Sequence, residues 1–390
     1  MNGSIQYRPG RPSPWRARYR GADGRQHSKS FARKVDAERW LRAEVGKLDR
    51  GEWLDPSAGL VTFAEWAEGW LPGLDLKPKT RAGYESLLRS RVLPTFGAVP
   101  LRRIAPTDLR EWVATMVDEG LSASRIRQAL QVIRAALEAA VGDGLIARNP
   151  TANVPVAADR PRAQRYLTAD EVSTLAEAAE VRQTGAGVLV RFLAYSGLRW
   201  GEAVALRRSS CDLLRRRVRV AESATEIASR VVVGSPKSHR ERSVILPRFM
   251  VDRLSEHLAS QSPQSAESPD GGRVSEGLVF SAPRGGFLRV SNFRRAVWLP
   301  AVETAGIEPG LRVHDLRHTA ASLMISAGAS IKAVQTALGH SSVTITLDRY
   351  SHLYEDDLEA LAEALHSRFA DSDVAQVWPK PVGGVRELRS

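Results

Sequence analysis

Four short stretches carry residue types that could act together on a phosphate: YSGLRWGE (195–202), SPKSHRERSVIL (235–246), HDLRHT (314–319) and LGHSSVTITLDRY (338–350). Arg199 follows Ser196-Gly197-Leu198 at the start of a helix, with Glu202 one turn on. A guanidinium backed by the positive end of a helix favours a phosphate; on a solvated surface the same pair would be an i,i+3 ion pair worth a few tenths of a kcal/mol. Lys237 follows Gly234-Ser235-Pro236, which is turn chemistry between two strands. A lysine there is either simply solvated or a proton donor whose pKa is moved by desolvation near other cations. His314, Arg317 and His318 fall at i, i+3 and i+4 on one helical face. Two histidines so placed could hold a metal, but HDLRH lacks the HExxH arrangement and Arg317 would repel a cation. An anion suits the set better, because arginine offers a planar fork to two phosphate oxygens. His318 is assigned a core or capping role. His340 closes LGH at a helix terminus, with Gly339 as the C′ residue, and Tyr350 follows ten residues later. A tyrosine on an amphipathic helix is ordinarily half-buried core. Here two arginines, a lysine and two histidines accompany it. Together they could neutralise a phosphodiester, attack it with a phenolate and return a proton to the leaving oxygen.

These groups need a scaffold, and the pattern around them supplies one. Thr168-Ala169-Asp170-Glu171 is a capping box that opens a helix. Helices are expected at about 186–195 and 200–207, strands at 217–221, 231–234 and 243–246, and helices again around 291–305, 315–327, 330–338, 342–351 and 355–369. The last, with Leu358, Leu361, Leu365 and Phe369 on one side, could pack on a neighbouring subunit or on its own domain. Residues 260–276 read as a low-complexity surface loop and 371–390 as a tail. Upstream, 61–150 is all helical, with helices at 62–71, 80–95, 106–119 and 122–141. Ile126, Leu130, Ile133, Leu137 and Val141 mark the inward stripe of the last one, capped by Ser122 and stopped at Gly142-Asp143-Gly144. In the first 55 residues, WRARYR (15–20) alternates apolar and basic residues like a strand with one core face and one cationic face. A turn at 21–24, a returning strand at 26–30 and a helix at 32–49 follow, with Val35, Trp40, Leu41, Val45 and Leu48 inward. Residues 151–165, with Pro155 and Pro161, form an extended basic linker that would cross a duplex lying between the domains.

Bulk composition agrees with a polyanionic partner. The 390 residues carry a net charge of +12, and residues 1–50 alone hold thirteen Lys/Arg against five Asp/Glu. Clustered cations displace condensed counterions from a phosphate backbone, so nucleic acid is the leading partner. Arg16, Arg18, Arg20, Arg125, Arg160 and Arg162 are the DNA-contact candidates. A single cysteine, Cys211, excludes an internal disulfide framework and a Cys-rich zinc site. No apolar run is long enough for a membrane span, and the N-terminus lacks the apolar region of a secretory signal. The expected setting is cytoplasmic, with no membrane partner, no cofactor and no metal site.

Taken in order, R…K…HxxR…H…Y resembles the tyrosine recombinase (phage integrase) family across the whole chain. The resemblance implies a multidomain, mainly α fold. An arm-type DNA-binding module of sheet plus helix would occupy 1–55, a four-helix core-binding (SAM-like) domain 61–150, the linker 151–165 and a mixed α+β catalytic domain 166–370. It carries over Arg199, Lys237, His314, Arg317, His340 and the nucleophile Tyr350, with Glu202 as a supporting acid; the run LDRYSH matches the phage-type LDxYSH ending. It implies attack by Tyr350 to give a 3′-phosphotyrosine, phosphate held by Arg199 and Arg317, hydrogen bonds from His314 and His340, one of which helps deprotonate Tyr350, and protonation of the 5′-oxygen by Lys237. Double-stranded DNA, a tetramer on that DNA and accessory DNA-bending or directionality proteins would be the partners. Rival readings are a type IB topoisomerase-like enzyme, a chromosome-dimer resolvase and a non-enzymatic DNA-binding regulator. A metal-dependent nuclease lacks its carboxylate cluster.

Overall fold

The computed structural model describes residues 3–55, 57–157, 164–227, 230–236, 241–261, 277–354, 362–363, 365–367 and 369. The chain forms two compact units, residues 1–162 and 163–390. It is mainly helical with small antiparallel sheets.

The first unit opens with a three-stranded antiparallel sheet in the order β1 (Gly3–Tyr7), β2 (Trp15–Arg20), β3 (Gln26–Phe31), backed by α1 (Lys34–Asp49). The register sets Ala17 between Ile5 and Lys29, and Arg18 between Ser4 and Ser28. Because successive side chains alternate faces, Ala17 and Tyr19 are buried while Arg16, Arg18 and Arg20 share the opposite, polar face. Strand β1 has no counterpart among the sequence expectations: GSIQY is short and carries little alternation. Val35, expected inward, is instead exposed; Ala37 is the buried residue of α1. The two lie about 200° apart around a helix, so only one can face the sheet.

Next come α2 (Phe63–Trp70), α3 (Pro78–Leu87), α4 (Leu93–Phe96), α5 (Pro106–Asp118) and α6 (Ala123–Gly142). A π-helical turn, Leu88–Val92, joins α3 to α4. It lies just ahead of Pro94, whose ring and missing N–H are poorly accommodated by regular α-helix. The core is built on Phe63, Leu109, Ile126, Ile133 and Leu137. Helix α6 runs through Gly142 and ends ahead of Gly144, which takes positive φ.

The second unit contains α7 (Ala169–Arg182), α8 (Ala186–Ser196), α9 (Trp200–Val204), β4 (Cys211–Asp212), β5 (Arg217–Val220), β6 (Ser223–Ile227), β7 (Arg230–Gly234) and β8 (Arg242–Ile245). It continues with α10 (Arg248–Ser260), α11 (Val290–Phe293), α12 (Leu299–Thr304), α13 (Asp315–Ser326), α14 (Ile331–Leu338) and α15 (Val343–Tyr350). One sheet has the order β4-β5-β8; β6 and β7 form a separate hairpin. Three differences from the sequence expectations stand out. Strands β4 and β6 and helix α10 have no expected counterpart, α9 is shorter than 200–207, and a π turn at Arg294–Trp298 precedes Pro300 within the stretch that reads as one helix. The helix expected at 355–369 lies largely outside the described residues, Leu358 and Leu361 among them.

Helix α8 is buried on nearly all sides (Leu189, Val190, Phe192, Leu193) and packs against α7 and α13. A smaller cluster, Ala321, Ile325, Val334, Leu338 and Tyr350, ties α13, α14 and α15 together. That three-helix packing is what brings sequence-distant groups to one place. Among the described residues no helix is long and apolar enough to cross a membrane.

Candidate active site

Arg199 is the N-cap of α9, and Glu202 sits one turn on. The Glu202 carboxylate accepts from the Arg199 backbone N–H (3.0 Å) and from its Nη1 (2.9 Å). Backbone and side chain of Arg199 are thus fastened to one carboxylate. Glu202 is buried, and Arg242 at the start of β8 donates to both its oxygens (3.1 and 2.7 Å). Burial alone would raise this carboxyl; the Arg242 bonds and charge, joined by Arg199, override that and hold it at about 2. Arg242 is not among the sequence candidates. Its partner is forty positions away, and no local spacing announces the pair.

Arg317 lies in the first turn of α13 with 3% of its surface exposed. Its Nη1 donates to the Gly197 carbonyl at the end of α8, and its Nη2 to the Leu338 carbonyl at the end of α14, both at 2.6 Å. Helix C-termini offer such unpaired carbonyls, so one guanidinium caps two helices and is itself immobilised. Desolvation, and next the charge of Arg199, pull Arg317 down to about 9. A buried cation with another arginine close by stabilises a bound anion.

Three histidine rings and Tyr350 surround this group. Gly339 takes the left-handed conformation at the end of α14 (φ +66°), and His340 follows it. His340 Nδ1 is 2.9 Å from the hydroxyl of buried Thr346, and its ring lies parallel to Tyr350, centroids 6.5 Å apart. His314, at the N-cap of α13, meets His318 edge-on with centroids 5.4 Å apart. Desolvation, reinforced by cationic neighbours, pushes His314 and His340 down to about 4. Tyr350 ends α15 with 1% of its surface exposed, and burial raises its phenol above the ordinary value. Its hydroxyl is 2.9 Å from His318 Nδ1. The sequence assigns His318 a core or capping role; the structure puts it on the tyrosine oxygen. Thr346, which orients His340, is a second residue that sequence reasoning does not single out. Its only signal is a hydroxyl at a buried phase of α15, indistinguishable by spacing from a packing residue.

The arrangement therefore unites Arg199, Glu202, His314, Arg317, His318, His340 and Tyr350, and adds Arg242 and Thr346. Lys237, Arg160 and Arg162 lie outside the described residues. Arg16 and Arg18 stand on the polar face of the first sheet, bonded to Ser28 and Gln6, and Arg125 is exposed in the first turn of α6. Among the described residues, the group of metal-type donors that comes together is Asp23, His27 and Asp55, in the first unit; His27 Nε2 there faces both Asp23 oxygens. Chemically, the second-unit site offers the guanidinium groups of Arg199 and Arg317, with Arg242 behind them on Glu202, a buried phenol and three rings that are neutral at neutral pH, which suits attack on a phosphodiester.

Comparison with known proteins agrees. Residues 165–357 match the model of the phage integrase family, 62–117 that of the phage integrase N-terminal SAM-like domain, and 2–50 that of the phage integrase N-terminal domain. A protein of Mycobacterium tuberculosis assigned as the prophage phiRv2 integrase is 32% identical over 375 residues, 94% of this chain and 95% of its own length. The integrase of Mycobacterium phage L5 is 29% identical over 347 residues, covering 86% and 89%. In fold the chain is similar to the Tn1549 transposon integrase in complex with transposon right end DNA, with TM-score 0.67, 22% identity and coverage of 78% and 99%. By these matches the chain belongs to the phage integrase family of tyrosine recombinases.

Proposed function

We propose that this tyrosine-type site-specific recombinase integrates or excises a mobile element, with Tyr350 as its nucleophile. Tyr350 attacks the scissile phosphate and leaves a 3′-phosphotyrosine and a free 5′-hydroxyl. The observation that carries this is the buried Arg317, pinned by two helix-end carbonyls within electrostatic reach of both Arg199 and Tyr350. Arg199 and Arg317 hold the non-bridging oxygens and stabilise the pentacoordinate transition state. Glu202 and Arg242 fix Arg199. His314 and His340 hydrogen-bond the same phosphate, and Lys237 protonates the departing 5′-oxygen. The energy of the broken bond stays in the phosphotyrosine, so another 5′-hydroxyl can reverse the step without a nucleotide or a metal.

The same reading divides the chain into an arm-binding module at 1–55, a core-binding domain at 61–150, a linker at 151–165 and a catalytic domain at 166–370. The match of residues 2–50 to a phage integrase N-terminal domain supports an integrase over a chromosome-dimer resolvase. A lambda integrase of the same fold has been seen as a tetramer bound to a Holliday junction. Four protomers on two duplexes is the assembly proposed here, with accessory DNA-bending or directionality proteins as further partners.

The test uses a library of nicked duplexes with randomised sequence, incubated with the full-length protein in EDTA. Protein–DNA adducts that survive denaturation should form with wild type, map to Tyr350 and disappear in Tyr350→Phe; sequencing their DNA recovers the core site. Adducts that persist in the Phe variant would remove Tyr350 as nucleophile, and a requirement for a divalent metal would remove the mechanism.

A further inference from the structure

Tyr350 must lose a proton to attack, and only 1% of its surface reaches solvent. The acceptor therefore has to be built into the protein. Of the three histidines near it, His340 has Nδ1 engaged with Thr346, and its ring lies parallel to the phenol ring with centroids 6.5 Å apart. His314 is one ring further out, packed against His318. Among the described residues, His318 alone places a ring nitrogen on the phenol oxygen, at 2.9 Å. Helix α13 holds it there: the neighbouring Arg317 caps α8 and α14, and Thr319 on its other side receives the Leu167 backbone N–H.

We propose that His318 Nδ1 is the proton acceptor that converts Tyr350 into the attacking phenolate. The proposal rests on the reading of Tyr350 as nucleophile and deepens it. The groups facing His318 are Asp315, Arg317 and His314 from α13 and its cap, Arg349 and Tyr350 from α15, and His340 after α14. Burial, and next Arg349, lower its pKa, so the ring is neutral and able to accept at neutral pH. Burial also raises Tyr350, so transfer ahead of attack would be uphill. The proton instead leaves as the bond to phosphorus forms. The phenol O–H breaks and its proton goes to Nδ1, giving an imidazolium. The phenolate pair forms the O–P bond while the P–O5′ bond breaks, and the departing oxygen takes its proton from the general acid of the site. In the return step a 5′-hydroxyl gives its proton to that same, now deprotonated, general acid as it attacks phosphorus, the bond from phosphorus to the Tyr350 oxygen breaks, and His318 gives its proton back to Tyr350. No co-reactant is consumed.

The experiment measures the single-turnover rate of adduct formation by the full-length protein on a nicked duplex carrying the core site recovered from the library. His318→Asn keeps a hydrogen-bond acceptor in place but has no basic nitrogen. The rate should fall about 100-fold or more, the range typical of a lost general base, while DNA binding and the melting temperature hold. His318→Ala should regain rate with added imidazole, in proportion to the unprotonated fraction. In wild type the rate should decline on acidification as His318 takes up a proton, and that limb should vanish in His318→Asn. An Asn variant at the wild-type rate would reduce the hydrogen bond to a structural one, and an Ala variant faster than wild type would make it a resting latch; either result overturns the proposal. Adducts that map to Tyr350 while the His318 variants react normally would sink this inference alone. Adducts that map elsewhere would sink the nucleophile as well.

Discussion

A carboxylate without solvent must be matched by cations, and Glu202 is matched by two. The side chain of Glu202 is 0% exposed, that of Arg242 10% and that of Arg199 27%. Removing one partner of such a buried pair typically costs about 3–5 kcal/mol, because the other charge is left uncompensated, whereas replacing both is often neutral. Arg242→Met should therefore lower stability by about that amount in denaturant melts, and the double variant Glu202→Leu/Arg242→Met should recover most of it. Adduct formation should stay low in both, since Arg199 has lost its brace. A double variant that cleaves like wild type would show that the brace has no catalytic part. Acid sensitivity follows from the same environment. His340 is held at about 4, below its ordinary 6.5, so between those values the unfolded chain binds protons the folded chain refuses. Stability should fall as pH drops from about 6.5 to 4. Glu202, depressed from 4.5 to about 2, extends the loss over that lower window. Thermal melts of His340→Gln should show the upper window weakened and the lower one intact. At this scale the sequence is most readable where partners are close along the chain. Arg199 with Glu202 and His314 with Arg317 are three apart, but Arg242 with Glu202 and His318 with Tyr350 meet only through tertiary folding.

The candidate site is assembled where ends of α8, α13, α14 and α15 meet. Arg317 is bonded to the ends of α8 and α14, and Gly339 turns the chain so that His340 follows directly. Gly339 is required twice over. Its φ of +66° disfavours any side chain, and a Cβ there would stand 2.8 Å from the Arg242 side chain. Gly339→Ala should therefore displace both Arg242 and His340, abolishing adduct formation while DNA binding is retained; an active Ala variant would contradict the packing described. Thr346→Val should be milder, leaving the helix intact but the His340 ring unanchored, with a drop in rate of roughly tenfold, the equivalent of one hydrogen bond of about 1.4 kcal/mol. Elements with a full inward stripe are legible from sequence, α6 above all. Helix α10 is not, because only Met250 and Leu254 are fully buried along its thirteen residues. Strand β1 escapes a pattern search since its order comes from pairing with β2, not from its own alternation. The misplacement of Val35 has the same origin: a stripe drawn from large apolar residues alone passes over Ala37.

Along the whole chain, positive charge is concentrated at one end of the sequence. Two-thirds of the net +12 falls in the first fifty residues, a net +8 there. The sheet organises it, since β2 sends Arg16, Arg18 and Arg20 to one face while Ala17 and Tyr19 go beneath α1. Arg8 feels the crowding: partial desolvation, then Arg16, Arg18 and Arg11, lower its pKa. Like charges held this close repel in the free protein and would be relieved by a phosphate chain, which is the ground for proposing this face as a DNA-binding surface. Each phosphate that is no longer neutralised should lower the slope of log affinity against log salt by about 0.9. The triple variant Arg16→Ala/Arg18→Ala/Arg20→Ala should therefore flatten that slope by roughly 3 on long duplexes that carry arm sequences, if each arginine neutralises one phosphate. On a short duplex carrying only the core site, both the slope and the rate of adduct formation should match wild type. Titrations across a salt series on the two duplexes make the comparison. An unchanged slope on the long duplex would place the arginine face outside the DNA path. A weakening confined to the short one would move the arginines to the core site.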